Sequence, residues 1–229
     1  GMSEMHTLFA SRWLSVHRIE HWEFVKRPNS EAAVGILAIT EEQEIILAFS
    51  EEMFLNDTFP PYALLEMPPF FNRYNGSDQV ASQLMWNYLK MRFEPTHKRS
   101  SMLEEMMFQG KLWYSLMSLF PNRNPWDLLG YDETEWKWMM KEEGQIWKHF
   151  LDNKLLFSTK FNDYKRYFAF GNKTFGGGVP EDCPPLIGNF IGMRIAQTFA
   201  TKNDANLDQI WRNTNANQFL QASTYNPIK

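Results

Sequence analysis

The chain has 229 residues, with 23 Lys+Arg against 27 Asp+Glu for a net charge of −4, one Cys and 16% aromatic residues. A chain of this length buries roughly 70–75% of its unfolded surface, so no disulfide or metal is needed to hold it together. The acidic balance and the lack of clustered Lys and Arg exclude nucleic acid as a partner, and the lone Cys183 excludes an internal disulfide and any cysteine-based zinc or iron–sulfur site.

Residues 3–26 place Met5, Phe9, Trp13, Val16 and Ile19 at spacings of three and four, which predicts an N-terminal helix that Pro28 ends. Two β-branched runs, residues 33–39 and 44–49, flank the polar turn Thr40–Gln43 and predict an antiparallel hairpin over 33–50. Pro60, Pro61, Pro68 and Pro69 then break an aromatic stretch into short turns. From Ser77 the pattern is helical. Val80, Leu84, Tyr88 and Met91 share a face of a helix ending at Phe93. Ser101 with Glu104 and Asp132 with Glu135 fit capping boxes, in which a side-chain oxygen and a carboxylate satisfy free amides at a helix start. The first of these helices runs to Phe120, before Pro121. The second carries Trp136, Met140, Trp147 and Leu151, with Gly144 among them, where a missing side chain predicts a close approach by another segment. Further helices are expected over Lys160–Phe170, from Gly188 to about Thr201, over Asn206–Arg212 and over Ala216–Ala222. The fold class read from these elements is α+β: one helix-dominated domain over residues 1–229, with a small antiparallel hairpin or sheet near the N-terminus and a helical body over 77–229.

The longest uncharged stretch, near Leu112–Asn122, is far short of the ~20 residues that cross a bilayer, so no membrane span is expected. Gly1 before Met2 looks like a residue left by tag cleavage. If Met2 is a native start the protein is cytoplasmic; if an export signal was removed it belongs to the cell envelope or periplasm.

His17-Arg18-Ile19-Glu20-His21 is the one cluster with metal-ligand spacing. On a helix both imidazoles lie on one face and could reach a zinc with Glu20 as base, the H-x-x-E-H pattern of a metal-dependent hydrolase. No third ligand is recognisable, and two surface histidines on a helix turn explain the spacing as well. Glu51-Glu52 and Glu104-Glu105 are acidic pairs; capping explains Glu104. Gly176-Gly177-Gly178 is followed by Val179-Pro180 rather than Lys and Ser or Thr, so it is no phosphate loop, and no Gly-x-Ser-x-Gly elbow exists. The tryptophans at 113, 126, 136, 138 and 147 fall mostly at core spacings. Trp126 and Trp138 are expected to be the most exposed, and a glycan-binding module built on such rings is a third option.

Four runs then occur in a fixed order: Leu103 through Tyr114, Leu129 through Trp136, Glu143 through Phe150 and Leu155 through Thr159. Cys183 through Gly192, Leu207 through Ile210 and Ser223 through Pro227 follow them, and Leu47 through Asn56 lies upstream. Together they resemble the gliding-motility lipoprotein GldB family of Bacteroidetes over roughly residues 34–229, with Glu52 and Asn56 standing where the family has Asp and Gly. The resemblance implies an envelope protein, lipid-anchored in the family, linked to a gliding and secretion apparatus. It also implies a distant likeness to zincin-type peptidases. In such a scaffold the helix after the sheet would hold the histidines, and here Gln83 through Lys90 contains no His and no Glu. The resemblance therefore implies a degenerate, non-catalytic zincin-like domain with no cofactor, the alternative being a zinc hydrolase using His17, Glu20 and His21. A protein partner or small ligand is expected in a cleft formed by Glu51, Glu52, Glu105, Lys111 and Tyr114, with the Gly176–Pro185 loop as a lid.

Overall fold

The computed structural model describes residues 73–95, 99–169 and 182–228, together with the backbone of two strands, β1 (Val34–Ile39) and β2 (Ile45–Phe49). The expected helix over 3–26, the turns near the four prolines and most of the 172–185 loop lie outside the described residues. The chain forms two compact units, residues 1–67 with 72–94 and residues 68–71 with 95–229.

In the first unit β1 and β2 pair antiparallel, Val34 opposite Phe49 and Ile39 opposite Ile45, with a register irregularity between Ile36 and Ala38. Helix α1 (Val80–Phe93) packs against both strands. It is preceded by a 3₁₀ turn, Ser77–Gln79, where Ser82 Oγ donates to the Gln79 carbonyl at 2.9 Å. Ala81, Leu84, Met85, Tyr88 and Leu89 are buried along one helical stripe. The helix stops at Phe93 because Pro95 disfavours helical geometry at Glu94, which adopts φ −57° and ψ 121°.

The second unit is helical. It contains α2 (Met102–Leu119), α3 (Pro125–Leu129), α4 (Glu133–Asp152), α5 (Phe161–Tyr164), α6 (Ile187–Asn203), α7 (Leu207–Arg212) and α8 (Ala216–Ser223). Both anticipated capping boxes form: Glu104 N–H donates to Ser101 Oγ at 3.3 Å and Glu135 N–H to Asp132 Oδ1 at 2.8 Å, each with its reciprocal bond. The unit is organised by the crossing of α2 and α6. Gly110 and Gly192 face each other there so closely that a Cβ on Gly192 would lie 2.0 Å from the Met106 carbonyl oxygen. Trp136 of α4 meets Phe190 of α6 edge to face at 5.6 Å, and Tyr131 donates to the buried Pro185 carbonyl at 2.7 Å. Phe199 of α6 stacks on Phe219 of α8 at 4.2 Å.

The expected α+β class is corrected to a helical one. Helices make up 72% of the residues described with their side chains, with no strand among them, and the strand pair is described as backbone alone. The physical reason is that the second unit buries its apolar stripes helix on helix, so no sheet organises that core. The stretch expected as one helix over 160–170 is instead α5 followed by a 3₁₀ turn, Lys165–Phe168. Tyr164 and Tyr167 are both buried, Tyr164 against Phe168 and Tyr167 against Phe150. Phe168 then covers Gly188, whose added Cβ would sit 2.5 Å from its ring. Helix α3 is too short for a periodic signal; Pro125 at its first turn and Gly130 at φ 81° mark its ends. Trp113, Trp136 and Trp147 are core, while Trp126 and Trp138 are half-buried.

Candidate functional site

Of the residues expected to form a cleft, Glu51 and Glu52 lie outside the described residues, as do His17, Glu20 and His21. The other three sit on α2, where no hydrogen bond or ion pair joins them to one another. Glu105, in the first turn, pairs with Arg99 and accepts from Gln109 Nε2 at 2.8 Å. Tyr114 is half-buried. Lys111 is 5% exposed; its ammonium donates to the Asn213 carbonyl and lies 4.4 Å from the Phe219 ring centroid and 5.9 Å from that of Trp211. Burial pushes its pKa down to about 8. Beside it Trp211 Nε1 donates to Ser115 Oγ at 3.0 Å. Lys111 therefore fastens α7 and α8 onto α2.

A recess of about 750 Å³ opens elsewhere in the second unit, between α4, α6 and the C-terminal segment. Met140, Gly144 and Lys148 share one face of α4 at spacings of four, which turns that face into one wall. Arg194 and Thr198, also four apart, supply the α6 wall, and residues 224–228 the third. The third wall is brought in by Thr224, whose left-handed φ of 51° ends α8 and whose Oγ1 accepts from Lys202 at 2.9 Å. The segment then runs across Gly144, where an added Cβ would be 2.9 Å from the Pro227 carbonyl oxygen. The close approach expected at this glycine is the C-terminal segment itself.

Glu143 anchors the recess. It is 8% exposed, and its Oε1 accepts from Arg194 Nε at 2.9 Å and from the Tyr225 hydroxyl at 2.8 Å. Arg194 also donates to Gln197 Oε1 at 2.7 Å, and the Tyr225 ring meets Trp147 edge to face at 5.2 Å. Burial first and the Glu143 carboxylate second push the Tyr225 pKa up, so the phenol keeps its proton and donates. The charged residues lining the recess are Lys141, Lys148, Arg194 and one carboxylate, Glu143, which is bonded to Arg194. Lys141 pairs with the half-buried Glu142 at 3.4 Å and Lys148 with the exposed Asp152 at 2.6 Å, contacts worth little in water.

Three side-chain hydroxyls line the recess. Its hydroxyls other than Tyr225 are Thr198 and Thr224, and each donates to a backbone carbonyl, at 2.8 and 2.7 Å. Lys202 donates to Thr224 Oγ1, and among the described residues no carboxylate or imidazole accepts from either hydroxyl. Among the described residues no three His, Cys, Asp or Glu side chains converge on one point, and the one histidine there is His149. No helix among them is long and apolar enough to cross a membrane. Sequence reasoning missed the recess because Glu143 meets Arg194 and Tyr225 across 51 and 82 residues. Gly144 was the one local signal.

No curated protein and no solved structure matches the chain. A family model described as gliding motility protein GldB matches residues 33–227, which include α1 through α8 and every lining residue of the recess except Ile228. The chain belongs to the GldB family of gliding-motility proteins.

Proposed function

We propose that this chain is a non-catalytic, gliding-motility-associated protein of the cell envelope that holds a protein partner or small ligand by an acidic group seated between Arg194, Lys141 and Lys148. The family supports the association with gliding. The observation that carries the binding role is the recess itself: a concave, positively lined space of about 750 Å³ with no nucleophile and base in contact. The rigid Glu143–Arg194–Tyr225 cluster presets Arg194, so little side-chain entropy is lost when an anion docks.

A photo-crosslinking residue placed at exposed Gln145, inside the recess, tests this in the native envelope. A discrete mass adduct, protein or small molecule, is expected at Gln145 and absent at exposed Lys137 on the same helix. A Lys148→Glu change should weaken the Gln145 adduct about tenfold or more, because like charges repel across the docking site. Equal labelling at both positions, no adduct at Gln145, or a chelator-sensitive peptidase activity of the purified chain would overturn the proposal.

A further inference from the structure

The end of α4 and the turn into α5 expose two phenylalanines: Phe157 is 65% and Phe161 63% exposed. Leu151, at the end of α4, is also exposed. The turn that presents them is firmly held. Leu155 and Leu156, just before Phe157, are buried, and the amides of Met102 and Leu103 donate to the carbonyls of Ser158 and Leu156 at 3.1 and 2.9 Å. Phe157 thus sits between two fastened carbonyls with its ring in water, and Phe161 meets Tyr164 edge to face at 5.7 Å. Rings of this size held out on a fixed turn mark a docking surface.

The charge around them identifies the occupant. Residues 148–166 carry Lys148, Lys154, Lys160, Lys165 and Arg166 against Asp152 and Asp163, a net +3 in a chain whose net charge is −4. Both acids are occupied, Asp152 by Lys148 at 2.6 Å and Asp163 by the Ser158 hydroxyl at 2.7 Å. Glu104, at the neighbouring helix start, is taken up by Ser100 and Ser101. Lys154, Lys160 and Lys165 are exposed and make no ion pair among the described residues. Protruding aromatic rings bracketed by exposed lysines match the boundary of an anionic bilayer. There the rings enter the acyl region and the ammonium groups meet phosphate.

We infer that the Phe157/Phe161 turn, with Lys154, Lys160 and Lys165, is a peripheral docking site for an anionic phospholipid surface. The site is separate from the Arg194 recess and stands whether or not that recess binds a partner.

Co-sedimentation of the full chain with vesicles tests it. The chain should pellet with phosphatidylcholine vesicles containing phosphatidylglycerol, stay in solution with phosphatidylcholine alone, and be released by high salt. Phe157→Ser with Phe161→Ser should weaken binding about tenfold or more, because the apolar insertion is lost. Changing the three lysines to Gln should weaken it roughly a hundredfold, at about fivefold for each charge removed. All these positions are exposed, so both variants should keep the parent circular dichroism, and Gln145 crosslinking should be unchanged. No binding to the anionic vesicles, equal binding to neutral ones, full binding by either variant, or capture by an acidic polypeptide in place of vesicles would overturn the inference.

Discussion

Replacing Gly192 with Ala should destabilise the protein by about 3 kcal/mol, although a helical glycine normally costs about 1 kcal/mol relative to alanine. Propensity predicts a gain and packing predicts a loss, and the distances decide. The new methyl would sit 2.0 Å from the Met106 carbonyl oxygen and 3.1 Å from the Gly110 Cα. Those are backbone atoms of another helix and cannot rotate away. Gly110→Ala meets the same wall from the other side, its Cβ falling 2.0 Å from the Gly192 carbonyl carbon. Relief requires α2 and α6 to separate, and everything that rides on α6 moves with it, including the stacked Phe199 and the Arg194 bond to Glu143. For a chain of this size the loss corresponds to a fall of roughly 6–12 °C in melting temperature. Gly144→Ala, facing one carbonyl at 2.9 Å on the C-terminal segment, should cost less. Thermal melts of the three variants check this ordering; a Gly192→Ala protein as stable as the parent would show that the crossing is looser than described.

The second large effect depends on pH. Lys111 has a pKa of about 8 in the folded chain, below its ordinary 10.5, because burial penalises the ammonium more than the rings of Phe219 and Trp211 favour it. Below pH 8 both states carry the proton and the folded state bears the full cost. Between pH 8 and 10.5 the folded state gives up the proton while the unfolded state keeps it, so stability from this group rises with pH. The whole change is on the order of 3 kcal/mol. Methionine has similar length and no charge, so a Lys111→Met variant isolates the effect from the tyrosines that also titrate at high pH. Urea unfolding of both proteins between pH 7 and 10 should show the parent gaining on the variant as pH rises. Parallel curves would mean that Lys111 is solvated and the packing of α7 and α8 over it is wrong.

What was legible in the sequence was local. The Ser101 and Asp132 capping boxes, the stop at Phe93 before Pro95, and the start of α8 at Ala216 are set by residues within four positions of each other. Core tryptophans were legible from spacing for the same reason. The class was misjudged because two clear strand runs near the N-terminus weighed as much as a sheet, while the core described is helix on helix. The site escaped because its parts are remote in sequence. Lys111 reads as a cleft lysine until Trp211 and Phe219 close over it from about a hundred residues away. Glu143 reads as a surface acid beside Glu142 until Arg194 and Tyr225 arrive. Gly110 and Gly192, 82 positions apart, carry no mark of their contact beyond being glycines in helices.

The proposed non-catalytic role requires that the chain hold no hydrolytic zinc, which would need three protein ligands with one position left open. The direct measurement is metal content of the whole chain purified without chelator and then supplied with zinc, beside a His17→Ala, His21→Ala variant. The account predicts substoichiometric zinc that is the same in both. One equivalent of tightly held zinc in the parent, lost in the variant and accompanied by peptide hydrolysis, would contradict it.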